Sequence, residues 1–235
     1  KAKIEMAEFF LELFTEEMPP NLQSAARENL LINFKSFFDK ENIIYDAGDD
    51  INVFSTPNRL VICFKNINKE IFQKAEEIRG PNIDAPEKAL DGFIRSNQID
   101  KKNIYSKKTE KGEFYFFKKP SIKIKTKDIL NDQIPMILGK ISWKKSMKWG
   151  EFNLFWGRPL KSILAVFEGK TLSFKFHHIE SSNLTFVDKN FEERTKSFNN
   201  FDKYISFFKS LNIIIDNEKR MNLIHKELIK LSSKK

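Results

Sequence analysis

The sequence predicts an α+β fold in which mixed, mostly antiparallel sheets pack against amphipathic helices in two subdomains. Three observations support this prediction. A strand-like apolar run near the N-terminus leads into a long amphipathic segment, short apolar runs recur between turn residues through the middle, and two helical patterns fill the last quarter. A chain of 235 residues with 40% hydrophobic residues can bury a core.

The first predicted strand, Ala7 to Phe14, ends at Thr15-Glu16-Glu17-Met18-Pro19-Pro20. Two consecutive prolines cannot continue a strand ladder, and their fixed φ presets the first turn of a helix. We therefore expect a helix from Pro20 to about Lys40, with apolar residues recurring at helical spacing. Three strands should follow and complete a βαββ layer, near Asn42–Tyr45, Asn52–Phe54 and Arg59–Phe64.

The segment after Lys69 has a helical pattern that leads to a predicted loop at Arg79-Gly80-Pro81-Asn82. The next helix is expected to begin after Pro86, to be capped by Asp84 or a neighbour, and to run to about Ser96.

Two hairpins and a helix are predicted next. Each hairpin joins two apolar runs across turn residues, 113–118 with 122–125 and 162–167 with 171–176. The helix between the hairpins, Thr126 to Gly139, contains Pro135, which should kink or divide it.

The last quarter is predicted to contain a helix from about Phe201 to Leu211, a strand at Ile213–Ile215 and a helix from about Asn217 to Leu231. The apolar stripe of that last helix must pack on something, and its abrupt end suggests truncation. The predicted division is 1–68 for the βαββ-like subdomain, 69–198 for an α+β region that can complete the first sheet, and 199–235 for the start of a following region.

Several kinds of site have no signature in the sequence. The glycines are never closer than seven residues, so neither common Gly-rich phosphate loop is present. His177 and His178 are adjacent and would point to opposite faces of a strand, and we predict no metal site. Serine-nucleophile motifs are absent as well, and no catalytic residue is predicted. A carboxylate pair assembled by folding stays open.

Cysteine usage and hydropathy bear on location. The one cysteine, Cys63, lies in a strand-like run, so we expect a buried apolar role and no internal disulfide. No apolar run approaches the roughly 20 residues that span a bilayer, and Met6-Ala7-Glu8 begins no signal peptide. These features predict a cytoplasmic protein without a membrane partner.

The formal net charge of +9 favours a polyanionic partner, yet lysine supplies 34 of the 41 basic residues, as AT-rich coding also produces. Local interleaving of basic and aromatic residues carries more weight. The stretch 140–150 offers Lys144, Lys145 and Lys148 for phosphates and Trp149 as a plane for an unstacked base. Alternatively, Trp143 and Trp149 are core or corner residues and the lysines form a solvated rim.

Two arginines stand at loop–strand junctions in this lysine-rich chain. Arg59 follows Pro57-Asn58, and Arg158 precedes Pro159. The planar guanidinium suits bidentate binding of phosphate or of a buried carboxylate. RNA contact and a structural ion pair are both open for each arginine.

The motifs along the chain resemble, in order and spacing, those of the bacterial heterotetrameric glycyl-tRNA synthetase β subunit. Thr15 to Pro20 resembles its Thr-Glu-Glu-Leu-Pro-Pro opening. Further similar stretches are Phe54–Leu60, Arg79–Pro81, Ala89–Phe93, Lys111–Glu113, Met147–Gly150 and Phe155–Leu160. Residues 181–190 depart from the family's Ser-Gly-x-x-Thr-x-Gly-His-Arg-Phe, because the glycine, the histidine and the arginine are missing. Roles attached to those three residues do not transfer.

The resemblance covers essentially all of this chain and about the first third of a family member. It implies an α2β2 tetramer in which the separate α subunit houses most of the chemistry, using ATP and Mg²⁺ to join glycine to tRNA(Gly). This chain would then serve in assembly with α and in positioning tRNA. The alternative is a stand-alone RNA-binding or scaffold module derived from that subunit, without enzymatic activity.

Overall fold

The computed structural model describes residues 4–73, 75–187 and 194–233. The α-helices are α1 Pro20–Glu41, α2 Glu87–Asn97, α3 Thr126–Gly139, α4 Phe201–Ser210 and α5 Asn217–Ser232. The strands are β1 Met6–Thr15, β2 Ile51–Thr56, β3 Arg59–Asn68, β4 Glu70–Gln73, β5 Glu76–Asn82, β6 Ile104–Thr109, β7 Gly112–Lys119, β8 Ile122–Lys125, β9 Met147–Lys148, β10 Phe155–Trp156, β11 Leu160–Phe167, β12 Lys170–Thr171, β13 Lys175–Phe176, β14 Ile179–Ser182, β15 Leu184–Phe186 and β16 Thr195–Ser197. The predicted α+β class is confirmed.

The chain divides into two compact units. One comprises the residues up to 69 together with those from 125 onward, and the other comprises 70–124. Strand β11 pairs with β1, so the first unit includes strands from the predicted 69–198 region. The boundaries predicted at 68 and 198 stay a prediction. Such long-range pairing leaves no mark on local sequence patterns.

The first unit is built on a seven-stranded sheet in which β1 lies between β3 and β11, antiparallel to both. The order is β13-β14-β11-β1-β3-β2, with β12 paired to β11. Along β1 the side chains alternate between two packed faces, since Phe9 meets α1 through Phe34 and Phe10 meets α4 through Phe201 and Tyr204. Burial on both faces explains why apolar residues in this strand occupy consecutive positions rather than only alternate ones.

The corner between β1 and α1 forms as the two prolines predict. Pro20 occupies the first turn of α1, and no side chain caps its N-terminus. At the other end, Asn42 adopts a left-handed conformation with φ 58° and closes the helix. The strand predicted at Asn42–Tyr45 is therefore wrong, and only Tyr45 forms an isolated bridge, to Ile67.

The second unit is a three-stranded antiparallel sheet, β5-β7-β6, with α2 packed beside β5. The helical prediction after Lys69 is wrong because this segment finds strand partners far along the chain. Strand β4 pairs with β8, and β5, which includes the predicted loop Arg79–Asn82, pairs with β7.

The predicted hairpin at 113–125 is wrong in its pairing. Both of its strands form, but β7 pairs with β5 and β6, whereas β8 pairs with β4. The true hairpin joins β6 to β7 across the turn before Gly112. The predicted cap of α2 is also wrong, because Pro86 stands at its N-cap and no side chain caps the helix.

Of the remaining predicted elements, the helices and the second hairpin form, whereas the strand at 213–215 does not. Helix α3 contains Pro135 without being divided. Strand β11 turns into β12 as the second hairpin predicts, although only Lys170, from the predicted turn, and Thr171, from the predicted second arm, pair with β11. Ile213–Ile215 forms no strand, since Ile213 N–H instead donates to Phe208 O, 2.9 Å away, at the end of α4. The apolar stripe of α5 is exposed rather than packed within the described residues.

Candidate nucleic-acid interface

The basic stretch 140–158 folds into a short hairpin at the surface of the first unit. Strand β9 pairs antiparallel with β10, placing Lys148 opposite Phe155 and Met147 opposite Trp156. Phe155 is 63% exposed and Met147 59% exposed. Lys144, Lys145 and Lys148 are exposed too. The basic hairpin, as we call residues 140–158, therefore presents cations and apolar surface side by side.

Tryptophans anchor this hairpin from within. Trp156 is buried, and Trp143 packs on it with ring centroids 5.0 Å apart. Trp149 is half-buried, and its Nε1–H donates to Trp156 O at 2.9 Å. Close packing requires Gly157, because a Cβ there would place three ring atoms of Trp143 within 3.0 Å. Trp143 and Trp149 thus have the structural role that the sequence left open, and Trp149 is held rather than free to receive a base.

The two arginines singled out in the sequence have different surroundings. Arg59 is only 5% exposed, and its Nε lies 3.2 Å from Oε2 of the buried Glu12. Its guanidinium also donates to the carbonyl oxygens of Phe186 and Val187. Arg59 therefore forms the buried ion pair that the sequence analysis named as the structural alternative to RNA contact.

Arg158 is half-buried and lines a pocket of about 450 Å³ in the first unit. Its Nε is buried and has no hydrogen-bond acceptor among the described residues. The other lining residues are Glu17, Met18, Pro19, Pro20, Gln23 and Pro57. The unused Nε–H of Arg158 can bind an anionic group at this pocket, whose lining also includes the carboxylate of Glu17.

Three of the motifs that carry the family resemblance meet at this pocket. Thr15 N–H donates to Asn58 O at 2.8 Å, Met18 N–H donates to Pro57 O at 2.6 Å, and Glu16 N–H donates to Pro159 O at 2.9 Å. The corner after β1 is thereby held between the β2–β3 turn and the loop before β11. Backbone atoms make these contacts, so side-chain patterns could not reveal them.

A buried polar cluster around Glu12 escaped the sequence analysis. The Glu12 carboxylate accepts hydrogen bonds from Thr185 Oγ1 and Tyr204 Oη and faces Arg59. Burial raises the pKa of Glu12, and the Arg59 charge and the two hydroxyls act against that shift. One signal was available, since Glu12 is an acidic residue directly between Leu11 and Leu13 in a largely apolar strand.

The segment that departs from the family pattern touches this cluster. Thr185 lies on β15, and Phe186 packs on Phe14 with ring centroids 5.2 Å apart. Of the altered stretch Phe186–Asn190, residues 188–190 lie outside the described residues. The consequence of its missing glycine, histidine and arginine stays a prediction.

Other chemistries can be checked over the residues that the structure describes. Within them, no three His, Cys, Asp or Glu side chains are grouped so that they could hold a metal ion. Cys63 is buried, as predicted, and burial raises the pKa of its thiol. In the same part of the chain, no helix is both long and apolar enough to cross a bilayer.

Comparison with known proteins gives one consistent match. The family model described as glycyl-tRNA synthetase beta subunit matches residues 9–235. Relatives named glycine–tRNA ligase beta subunit include those of Rickettsia prowazekii, 34% identical, and Rickettsia typhi, 35% identical, each over 228 residues. Each alignment covers 97% of this chain and 34% of the relative, so the chain spans about a third of the length of these curated relatives.

Proposed function

Because the chain belongs to the glycyl-tRNA synthetase beta subunit family, we propose that it acts as the N-terminal part of the β subunit of glycine–tRNA ligase. In this role it supports the ATP-dependent attachment of glycine to tRNA(Gly). The chain contributes through assembly with the α subunit in an α2β2 tetramer and through positioning of the tRNA. ATP and Mg²⁺ are used by the complex, which works in the cytoplasm.

The family match over nearly the whole chain is the observation that carries this proposal. It includes the basic hairpin and the corner at the Arg158 pocket, so both features belong to the matched region. The sequence has neither common Gly-rich phosphate loop, which agrees with a supporting role beside a separate catalytic subunit.

Electrostatics and shape are the means by which this chain would position tRNA. The exposed Lys144, Lys145 and Lys148 can neutralise phosphates, and Arg158 can bind one more anionic group at the pocket. Trp149 was also a candidate for stacking, but its hydrogen bond to Trp156 favours an anchoring role. Apolar contact from Phe155, on the same hairpin, adds sequence-tolerant surface.

The main test is glycylation of tRNA(Gly) by purified α subunit with ATP and Mg²⁺, with and without this chain. Full-length β subunit is the positive control. We expect the chain to co-purify with α, and restored activity would show that this third of the subunit suffices for assembly. If the chain neither binds the α subunit nor restores activity, the proposal fails and the stand-alone module becomes the better hypothesis.

A second test addresses the hairpin lysines. Replacing Lys144, Lys145 and Lys148 with Ala should weaken tRNA binding and lower the salt slope of log Kd by about 2, since each phosphate contact contributes about 0.7 to 0.9. A control of equal charge change replaces three exposed lysines on other elements, Lys203, Lys209 and Lys226. If both triple variants lose the same amount of tRNA affinity, the hairpin lysines have no specific role in tRNA binding and are only solvated surface residues.

A further inference from the structure

The second unit carries a sheet face that the proposed function does not use. Helix α2 lies on one side of the β5-β7-β6 sheet, where Phe93 contacts the position of Gly80 so closely that a Cβ there would lie 2.9 Å from its ring. The opposite side, which we call the open face, carries alternate residues of the three strands. These are Glu77, Arg79, Tyr105, Lys107, Phe114, Phe116 and Lys118.

Two aromatic rings of the central strand β7 form stacks on the open face. The Arg79 guanidinium lies over the Phe114 ring, 3.6 Å from its centroid. Tyr105 stacks on Phe116 with centroids 6.2 Å apart and planes inclined by 25°. Phe116 is only 6% exposed, whereas Tyr105 is 38% exposed and Arg79 is exposed. The outer layer of each stack is therefore a flat group that faces outward.

Charged groups hold the Tyr105 stack and leave the open face positive. Glu77 accepts a hydrogen bond from Tyr105 Oη at 2.5 Å and pairs with Lys107 Nζ at 2.8 Å. Lys107 Nζ also lies 5.4 Å from the centroid of Phe116. With Arg79 and Lys118 added, the open face carries three cations and one carboxylate.

Flat groups interleaved with cations are what unpaired RNA requires. Bases stack on aromatic rings and on arginine planes, while lysines beside the stacks contact phosphates. Paired RNA hides its base faces and would gain little from such a surface. We propose that the open face binds single-stranded RNA, with one base on Arg79 and a neighbouring base on Tyr105.

This inference rests on the proposed function, because it gives the tRNA-positioning role a second contact surface. The inference also goes beyond the proposed function, since it specifies unpaired nucleotides as the ligand and base stacking as the mode of binding. The basic hairpin lies in the other unit and supplies mainly phosphate contacts. The two surfaces can therefore be tested separately.

The test measures binding of an unstructured RNA oligonucleotide of about ten nucleotides, a length within the site sizes of single-strand binders. Fluorescence anisotropy with the full 235-residue chain reports Kd over a series of salt concentrations. Tyr105→Ala should weaken binding about tenfold, the loss expected for one stacked base, with an unchanged salt slope. Thermal unfolding by circular dichroism verifies that each variant is folded.

Two matched pairs separate stacking from charge. Arg79→Lys keeps the charge and removes the plane, so it should weaken binding as Arg79→Ala does. Lys107 and Lys108 are neighbours on β6 that point to opposite sides of the sheet. Lys107→Ala should weaken binding several-fold with a smaller salt slope, whereas Lys108→Ala should change Kd less than twofold.

The proposal is overturned if Tyr105→Ala and Arg79→Lys both bind within twofold of the unmodified chain. It is overturned as well if the unmodified chain does not bind the oligonucleotide, or if Lys107→Ala and Lys108→Ala are equivalent. Glycylation with α subunit is scored separately. If the chain supports glycylation but the substitutions leave oligonucleotide binding unchanged, only the proposed RNA site on the open face is refuted. If the chain does not bind the α subunit but the substitutions weaken oligonucleotide binding, only the proposed subunit role is refuted.

Discussion

Removal of the Tyr204 hydroxyl tests whether the buried cluster at Glu12 stabilises the first unit. Tyr204 is fully buried, and its Oη donates to Glu12 Oε2 between α4 and β1. A hydrogen bond to a charged group contributes about 1.5 to 3 kcal/mol. Because Glu12 keeps its contacts with Thr185 and Arg59, we expect Tyr204→Phe to lower the free energy of unfolding by about 2 kcal/mol at neutral pH.

The effect should depend on pH in a definite direction. Burial raises the pKa of Glu12, and the Tyr204 hydrogen bond lowers it, so the variant has a still higher folded-state pKa. Above the ordinary value of 4.5, the unfolded chain releases a proton that both folded forms keep, and the variant keeps it to a higher pH than the unmodified chain does. Stability relative to the unmodified chain is therefore lost as pH rises, and the cost of Tyr204→Phe should be larger at about pH 7.5 than at about pH 5.

Urea unfolding followed by circular dichroism at both pH values measures this cost. Tyr45→Phe is the matched control. It also removes a tyrosine hydroxyl, but this hydroxyl donates an exposed hydrogen bond to Asp39 Oδ1, 3.4 Å away. We expect the control to cost less than about 0.5 kcal/mol. The argument is refuted if the two variants are equally destabilised, or if the cost of Tyr204→Phe does not increase with pH.

Three further substitutions have expected outcomes in the same unfolding assay. Gly157→Ala should cost about 1 to 3 kcal/mol, because the new Cβ overlaps the Trp143 ring, and an unchanged midpoint would show that the ring moves freely. Gly92→Ala, which meets nothing within 4 Å inside α2, should instead stabilise the chain by up to about 1 kcal/mol; a loss of stability would contradict that. Arg59→Ala should cost about 3 to 5 kcal/mol by leaving Glu12 buried and unpaired, and a cost below about 1 kcal/mol would disprove that role of the ion pair.

Local chemistry made the first strand and helix predictable. The prolines after β1 and the helical spacing of apolar residues in α1 act within a few residues of each other, so both elements lie where they were expected. Strands β4 and β5 were not predicted, because they form by pairing with residues that are distant in the sequence. Their partners are β8, about 50 residues away, and β7, about 30 to 45 residues away, and pairing overrides a weak helical pattern.

The candidate sites divide in a similar way. Lys144, Lys145 and Lys148 were found because basic and aromatic residues interleave in the sequence, and they are exposed in the structure. Arg59 was chosen for its type and its place beside a turn, yet only the fold reveals that Glu12 is its partner. Arg79 and Tyr105 come together from strands that are not adjacent in the sheet order.

The family, the α+β class and the main helices could be predicted without the structure, since motif order, apolar periodicity and proline act along the chain. Tertiary structure alone showed that β11 lies beside β1 in the first sheet, that Arg59 is buried against Glu12, and that the open face gathers rings and cations. The physical reason is that strand pairing and the satisfaction of buried charge depend on partners distant in sequence, which side-chain periodicity does not encode.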